Sequence, residues 1–172
     1  QNDNNYDVLI LAGDIMVATD LHDHPETDYG MYSNVNLEGL GRRQKTALRF
    51  RDFLKRCSFQ FPHTIYVAGN HEHYHGDFKD TIPDLKSRLA YIDNLHILDR
   101  EIFELNDTVF VGGTLWTDMN KEDPLTLHAI SRMMNDFRCV ENSNRVVNYK
   151  SFDDVENPDK PTFRTRAARF CP

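Results

Sequence analysis

The stretch Ile65-Tyr66-Val67-Ala68-Gly69-Asn70-His71-Glu72 decides how this chain is read. An apolar run stops at a glycine and gives way at once to an amide, an imidazole and a carboxylate. A second stretch of the same design lies upstream, Val8-Leu9-Ile10-Leu11-Ala12-Gly13-Asp14. Runs of about five apolar residues bounded by glycine fit strands buried on both faces. Such strands belong to α/β sheets, whose sites gather beyond the carboxyl ends of the strands. Two strands that end this way are expected to be neighbours and to bring Asp14, Asn70 and His71 to one spot.

The residue types suit metal and proton chemistry. Gly13 and Gly69 let the backbone turn sharply and approach a ligand closely. Asp14 is a hard oxygen donor able to bridge two cations, and Asn70 adds an oxygen without adding charge. His71 can bind a metal through a ring nitrogen or donate a proton near neutral pH. Mixed oxygen and nitrogen donors favour manganese, iron or zinc. Glu72 has two candidate roles, to fix the His71 ring or to fix the loop.

Gly13-Asp14 and Gly69-Asn70-His71-Glu72, with Gly113-Thr114-Leu115-Trp116 further on, resemble the calcineurin-like metallophosphoesterases. The resemblance implies an α/β fold of the metallophosphoesterase-type α/β/β/α sandwich and a dinuclear centre of two divalent metal ions (Mn, Fe or Zn). It implies Asp14 as the carboxylate bridging both metals, Asn70 as a ligand of one, and His71 near the leaving-group oxygen. The implied reaction is hydrolysis of a phosphomonoester, phosphodiester or pyrophosphate by a metal-bound hydroxide. The family's upstream Asp-x-His has no counterpart in residues 1–7, and its late Gly-His motifs have none either, since the last histidine is His128. The chain is therefore expected to be a single partial domain over 1–172, incomplete at both ends and a poor enzyme by itself.

Two other readings compete. A phosphoesterase-like binding scaffold is disfavoured by the joint presence of Asp14, Asn70 and His71, since a scaffold has no need of all three. His71-Glu72-His73-Tyr74-His75 also fits the His-Glu-x-x-His pattern of zinc proteases, which works only on a helix, where residues four apart share a face. Gly69 before it and Gly76 after it speak against that helix. Asp20-Leu21-His22 mimics the missing Asp-x-His but follows the Gly-Asp strand and reads as a solvated loop. His63, His96 and His128 read as structural, Trp116 as an anchor and Asp118 as a turn acid.

The formal charge of −7 and pI of about 5.6 do not indicate a basic nucleic-acid groove, although charge alone leaves nucleic acid open as a partner. A small phosphate ester is the expected partner. A mean hydropathy of −0.61, with no stretch near the ~20 apolar residues of a membrane span, predicts no membrane association, and the lack of paired cysteine spacing favours a reducing, cytoplasmic location. Cys57, Cys139 and Cys171 form no paired spacing, which argues against a disulfide framework or a thiolate zinc site.

The rest of the chain alternates helices and strands. A long polar loop over 15–36, carrying Asp20, His22, Asp23, His24, Glu26 and Asp28, is expected to be functional or mobile. A helix is expected over 37–57, with Ala47, Phe50, Leu54 and Cys57 on its apolar stripe and its basic residues solvated. Residues 63–68 read as a strand, 82–92 as a short helix, and 95–98, 102–105 and 108–112 as strands, with Asn106-Asp107 turning a hairpin. Asp123-Pro124 opens another helix with the stripe Leu127, Ile130, Met134 and Phe137. Residues 141–161 read as irregular, and 161–170 as the start of a helix.

Overall fold

The computed structural model describes residue 3 and residues 5–23, 38–116, 118–149 and 164–169; for Asp23, 144–149 and 164–169 it describes the backbone alone. Three parallel strands, β1 (Val8–Ala12), β2 (His63–Val67) and β3 (Leu95–Ile97), lie in the order β1-β2-β3. Helix α1 (Arg42–Gln60) connects the first pair and α2 (Phe78–Arg88) the second. This is an α/β arrangement. Leu9 pairs with Thr64 and Ala12 with Val67, so β1 and β2 end level with each other.

The central strand carries the strongest apolar signal. Thr64, Ile65 and Tyr66 are buried, as expected of a strand covered on both faces. At the edge of the sheet, β1 departs from that expectation. Ile10 is 55% exposed and Ala12 is also exposed, because only the Leu11 side of β1 faces the core. That core joins Leu11, Met16, Leu21, Leu54, Tyr66, Ala68, Ile82, Leu85, Leu89 and Ile97.

Helix α1 starts where the Gly41 amide donates to Gln44 Oε1 at 2.9 Å, and it stops just before Pro62. Its buried face is Ala47, Leu48, Arg51, Leu54 and Cys57, with Phe50 partly buried. Arg51 corrects the expectation of a wholly solvated basic face. It is buried, with its guanidinium carbon 5.7 Å from the centre of the Tyr91 ring. Helix α2 begins earlier than the apolar pattern suggests, since Asp77 caps it by accepting from the Lys79 amide at 3.1 Å.

The hairpin of β4 (Glu101–Leu105) and β5 (Thr108–Gly112) turns at Asn106-Asp107, with Asn106 at φ 52. That positive φ is the conformation a two-residue hairpin turn demands and Asn tolerates. Phe103 stacks on His96 at 3.9 Å between ring centres and lies 5.4 Å from His63. His63 and His96 are thus the structural seat of the hairpin, as their positions in strands suggest.

Further on lie a single left-handed turn, α3 (Met119–Glu122), whose four residues all have positive φ, then α4 (Pro124–Met133), α5 (Asp136–Cys139) and an antiparallel pair, β6 (Glu141–Tyr149) with β7 (Arg164–Arg169). Asp123 caps α4 as expected, accepting from the Thr126 amide at 2.8 Å, with Pro124 in its first turn. The expected apolar stripe does not form. No residue of α4 is buried, Met134 already has extended backbone, and the buried Phe137 belongs to α5. The irregular reading of 141–161 and the helical reading of 161–170 are both overturned where described, because β6 and β7 satisfy each other's backbone groups as strands. Residues 150–161 lie outside the described residues.

The loop expected over 15–36 begins as packed structure. Met16, Ala18 and Leu21 are buried, the last completely, and Ala18–Asp23 forms a 3-10 turn. Asp20-Leu21-His22 is therefore anchored through its central leucine rather than freely solvated. His24, Glu26 and Asp28 lie outside the described residues. Among the described residues Cys57 and Cys139 are free thiols, and no helix is long and apolar enough to cross a membrane.

Candidate functional site

Because β1 and β2 are parallel and end in register, the loops after them emerge side by side. Gly13, at φ 83, and Asp14, at φ 55, turn the first loop, and Gly69 opens the second. A Cβ on Gly13 would lie 2.7 Å from the Gly69 nitrogen, and one on Gly69 would lie 2.8 Å from the Asp14 nitrogen. Only glycine permits backbones this close. The exposed Asp14 carboxylate reaches across the gap, its Oδ1 accepting from the His71 amide at 3.1 Å. The structure thus brings Asp14 together with the turn that bears Asn70 and His71.

Glu72 holds the two loops to each other. Fully buried, it accepts from the amides of Asp14 (3.0 Å), Ile15 (2.6 Å), Met16 (3.2 Å) and Gly69 (2.7 Å), and from the Tyr66 hydroxyl at 2.7 Å. The choice left by the sequence is settled by these contacts: Glu72 fixes the loops. Five donors converging on one carboxylate replace the water it gives up on burial. In return, burial and the adjacent Glu72 charge push the Tyr66 phenol far above its ordinary pKa, so it stays a donor.

Residues 71–73 form a single 3-10 turn, and His75 has φ 62. No helix runs through 71–75, so His71 and His75 do not share a helical face and the protease-type pattern lacks its geometry. The two other histidines of the run differ sharply. His73 is buried against the Phe78 ring at 4.6 Å, and burial holds its imidazole below the ordinary value. His75 is exposed, and its amide donates to the Cys139 carbonyl at 2.6 Å. His22 is engaged elsewhere, 2.6 Å from Asp84 Oδ2.

The third motif also arrives here. Thr114 Oγ1 donates to the Ala68 carbonyl at 2.5 Å, which ties the segment after β5 to the end of β2. Trp116 lies edge-on to Phe78 at 6.4 Å, which agrees with an anchoring role. Asp118 accepts from the Asn120 amide at 3.1 Å as a turn acid. His128 sits exposed on α4.

One neighbour went unread in the sequence. The Tyr74 hydroxyl accepts from Asn70 Nδ2 at 3.3 Å, and its ring centre lies 4.7 Å from that of His71. Tyr74 directly follows the 3-10 turn, and nothing in its residue type pointed to this contact. Burial, reinforced by Asp136 and Cys139, raises the Tyr74 phenol above its ordinary value.

Asp14 and Asn70 offer two oxygen donors, which suit a divalent cation in kind. They are fewer than the three protein ligands of a usual catalytic zinc. Among the described residues no three His, Cys, Asp or Glu side chains form a metal-holding group. A cavity of about 430 Å³ lined by Tyr6, Phe59 and Asn94 opens at the other, amino-terminal end of the strands, away from these residues.

No protein-family model matches the chain, and no solved structure matches it. Over 96 residues, 53% of this chain, it is 28% identical to an uncharacterized protein of Acanthamoeba polyphaga mimivirus. The chain covers 33% of that relative's length. The similarity supports common ancestry over that stretch and brings no activity with it.

Proposed function

We propose that the chain forms part of a metal-dependent phosphoesterase with the α/β/β/α sandwich of the metallophosphoesterases, acting on a phosphomonoester, phosphodiester or pyrophosphate. The observation that carries the reading is the bond from the His71 amide to Asp14 Oδ1 at 3.1 Å. It joins the two strand ends, with Glu72 buried beneath them, where an open α/β sheet places its chemistry.

Bound divalent cations would supply a hydroxide nucleophile at neutral pH and offset phosphate charge. Asp14 and Asn70 would hold them, and the donor count calls for further ligands from outside the described residues. The chain's own residues do the rest. The His71 amide aims the Asp14 carboxylate. The exposed His71 ring, as imidazolium, gives its proton to the departing oxygen. Glu72 keeps both loops in place without touching substrate.

The test uses the complete protein of which this chain forms part, with Mn²⁺ and two esters, one with a nitrophenolate and one with an alkoxide leaving group. Asp14→Asn should lose Mn²⁺ binding and turnover together. His71→Ala should retain Mn²⁺ and lose about 10²–10⁴-fold in turnover of the alkoxide ester, the scale of general acid catalysis. The loss should be much smaller for nitrophenolate, which hardly needs a proton. Equal losses on both esters would remove the acid role. A wild-type chain that hydrolyses neither ester, with Asp14→Asn unchanged in Mn²⁺ binding, would favour the scaffold.

A further inference from the structure

We propose that Tyr74 is a positioning residue of this site, holding Asn70 through its hydroxyl and His71 through its ring; the inference rests on the phosphoesterase reading. The two contacts are separate. The hydroxyl takes Asn70 Nδ2 at 3.3 Å, whereas the ring packs on the His71 imidazole at 4.7 Å, tilted by 42°.

The hydroxyl matters because an asparagine amide has two unlike ends. Only Oδ1 can ligate a cation, while Nδ2 is a donor with nothing to offer one. In the pose observed the hydroxyl accepts from Nδ2, which leaves Oδ1 as the end open to a ligand. Without it, the amide loses the partner that holds it in that pose. The ring matters for a different reason. His71 is exposed, and a packed aromatic face restricts the rotation of an imidazole that must meet one oxygen.

Tyr74 is itself well placed to act as a stop. Its amide donates to the His71 carbonyl at 3.1 Å, closing the 3-10 turn. The following residues bind the turn to the chain beyond it, through His75 to the Cys139 carbonyl at 2.6 Å and the Glu141 amide to the Gly76 carbonyl at 3.0 Å. Asn70 and His71 therefore lean on a residue whose backbone is fixed from both sides.

The experiment separates hydroxyl from ring in the same complete protein. Mn²⁺ affinity is read by calorimetry, and turnover is read at saturating Mn²⁺. Tyr74→Phe should bind Mn²⁺ about 2- to 10-fold more weakly, the worth of one hydrogen bond, with kcat at saturating Mn²⁺ unchanged. Tyr74→Leu should show the same Mn²⁺ loss and also a lower kcat, most marked for the alkoxide ester. A merely structural role would not split the two readouts in this way. Should Tyr74→Leu fail to fold, Tyr74→Phe decides. Wild-type Mn²⁺ affinity in Tyr74→Phe, while Asp14→Asn loses Mn²⁺, overturns the proposal and leaves the phosphoesterase reading standing. Unchanged Mn²⁺ binding in Asp14→Asn defeats that reading, and Tyr74 with it.

Discussion

Gly13 and Gly69 meet backbone to backbone: a Cβ on the first would lie 2.7 Å from the nitrogen of the second and 2.8 Å from its Cα. Backbone atoms pinned by a sheet cannot retreat as a flexible side chain can. Gly69→Ala and Gly13→Ala should each destabilise the fold by about 1–3 kcal/mol, the usual range for overpacking. Gly13→Ala should be the worse, because its φ of 83 adds backbone strain. Urea denaturation measures both. A Gly13→Ala protein as stable as wild type would mean that the strand ends are not this close.

Glu72 offers a second measure of the same junction. Its replacement by alanine leaves four amides and the Tyr66 hydroxyl without their acceptor, the Met16 amide and the Tyr66 hydroxyl in a buried setting and the other three in a partly buried one. At ~1–3 kcal/mol for each buried group left unpaired, these two groups alone take a large share of the ~5–15 kcal/mol of a whole domain, and the partly buried amides add to it. Glu72→Ala should not fold stably, as judged by circular dichroism and limited proteolysis. Glu72→Gln keeps one acceptor oxygen but points an NH₂ group at the donors. It should fold with a clearly lower midpoint.

Asp14 separates folding from chemistry. It sits at φ 55, a conformation that Asn tolerates well. Asp14→Asn should therefore change the thermal midpoint little. Its Oδ1 can still accept from the His71 amide, so the loop keeps its form while the charge is gone. Loss of Mn²⁺ binding with an unmoved midpoint is the expected pair of results. A midpoint that falls as steeply as for Glu72→Gln would make Asp14 a structural residue instead.

Stability should fall on mild acidification. Burial, with His63 beside it, holds the His96 imidazole below its ordinary value, and burial does the same for His73. The unfolded chain then binds more protons than the folded one as pH drops below ~6.5, so the folded state loses ground there. The stability is present above that pH and is lost as pH falls toward the folded-state values. The lowered carboxylates Asp77, Glu101 and Asp123 act in a more acidic window and do not mask it. Urea midpoints at pH 7.5 and 5.5 check the sign, and His96→Gln should reduce the difference. An unchanged midpoint across that range would contradict it.

The sequence was most legible where pattern and burial agree. Ile65, Tyr66 and Val67 announce β2, and Gly69 marks where it must stop. Asn106-Asp107 placed the hairpin because so few residues accept a positive φ. Legibility failed where polar residues form strands. Asn142, Ser143 and Asn144 hide β6, and the helix-prone Arg166, Ala167 and Ala168 disguise β7, whose pairing overrides local preference. At the site, Asp14, Asn70 and His71 stand out by residue type, whereas Tyr74 does not. A tyrosine in a histidine-rich turn carries no signal of what its hydroxyl touches. Glu72 was visible, but its direction was not, since inward and outward carboxylates look alike in a sequence.

The pairing of Val8 with His63 spans 55 positions, 63 minus 8, and three of the five donors to Glu72 come from the far side of that gap. A long loop must close before any of those contacts can form, and the closure entropy comes first. A peptide carrying residues 60–78 alone would hold Gly69-Asn70-His71-Glu72 in order but without its shape. The arrangement thus depends on long-range contact, since Glu72 gains three of its donors only with β1 docked on β2. Undocking of β1 should therefore take those three donors from Glu72 together.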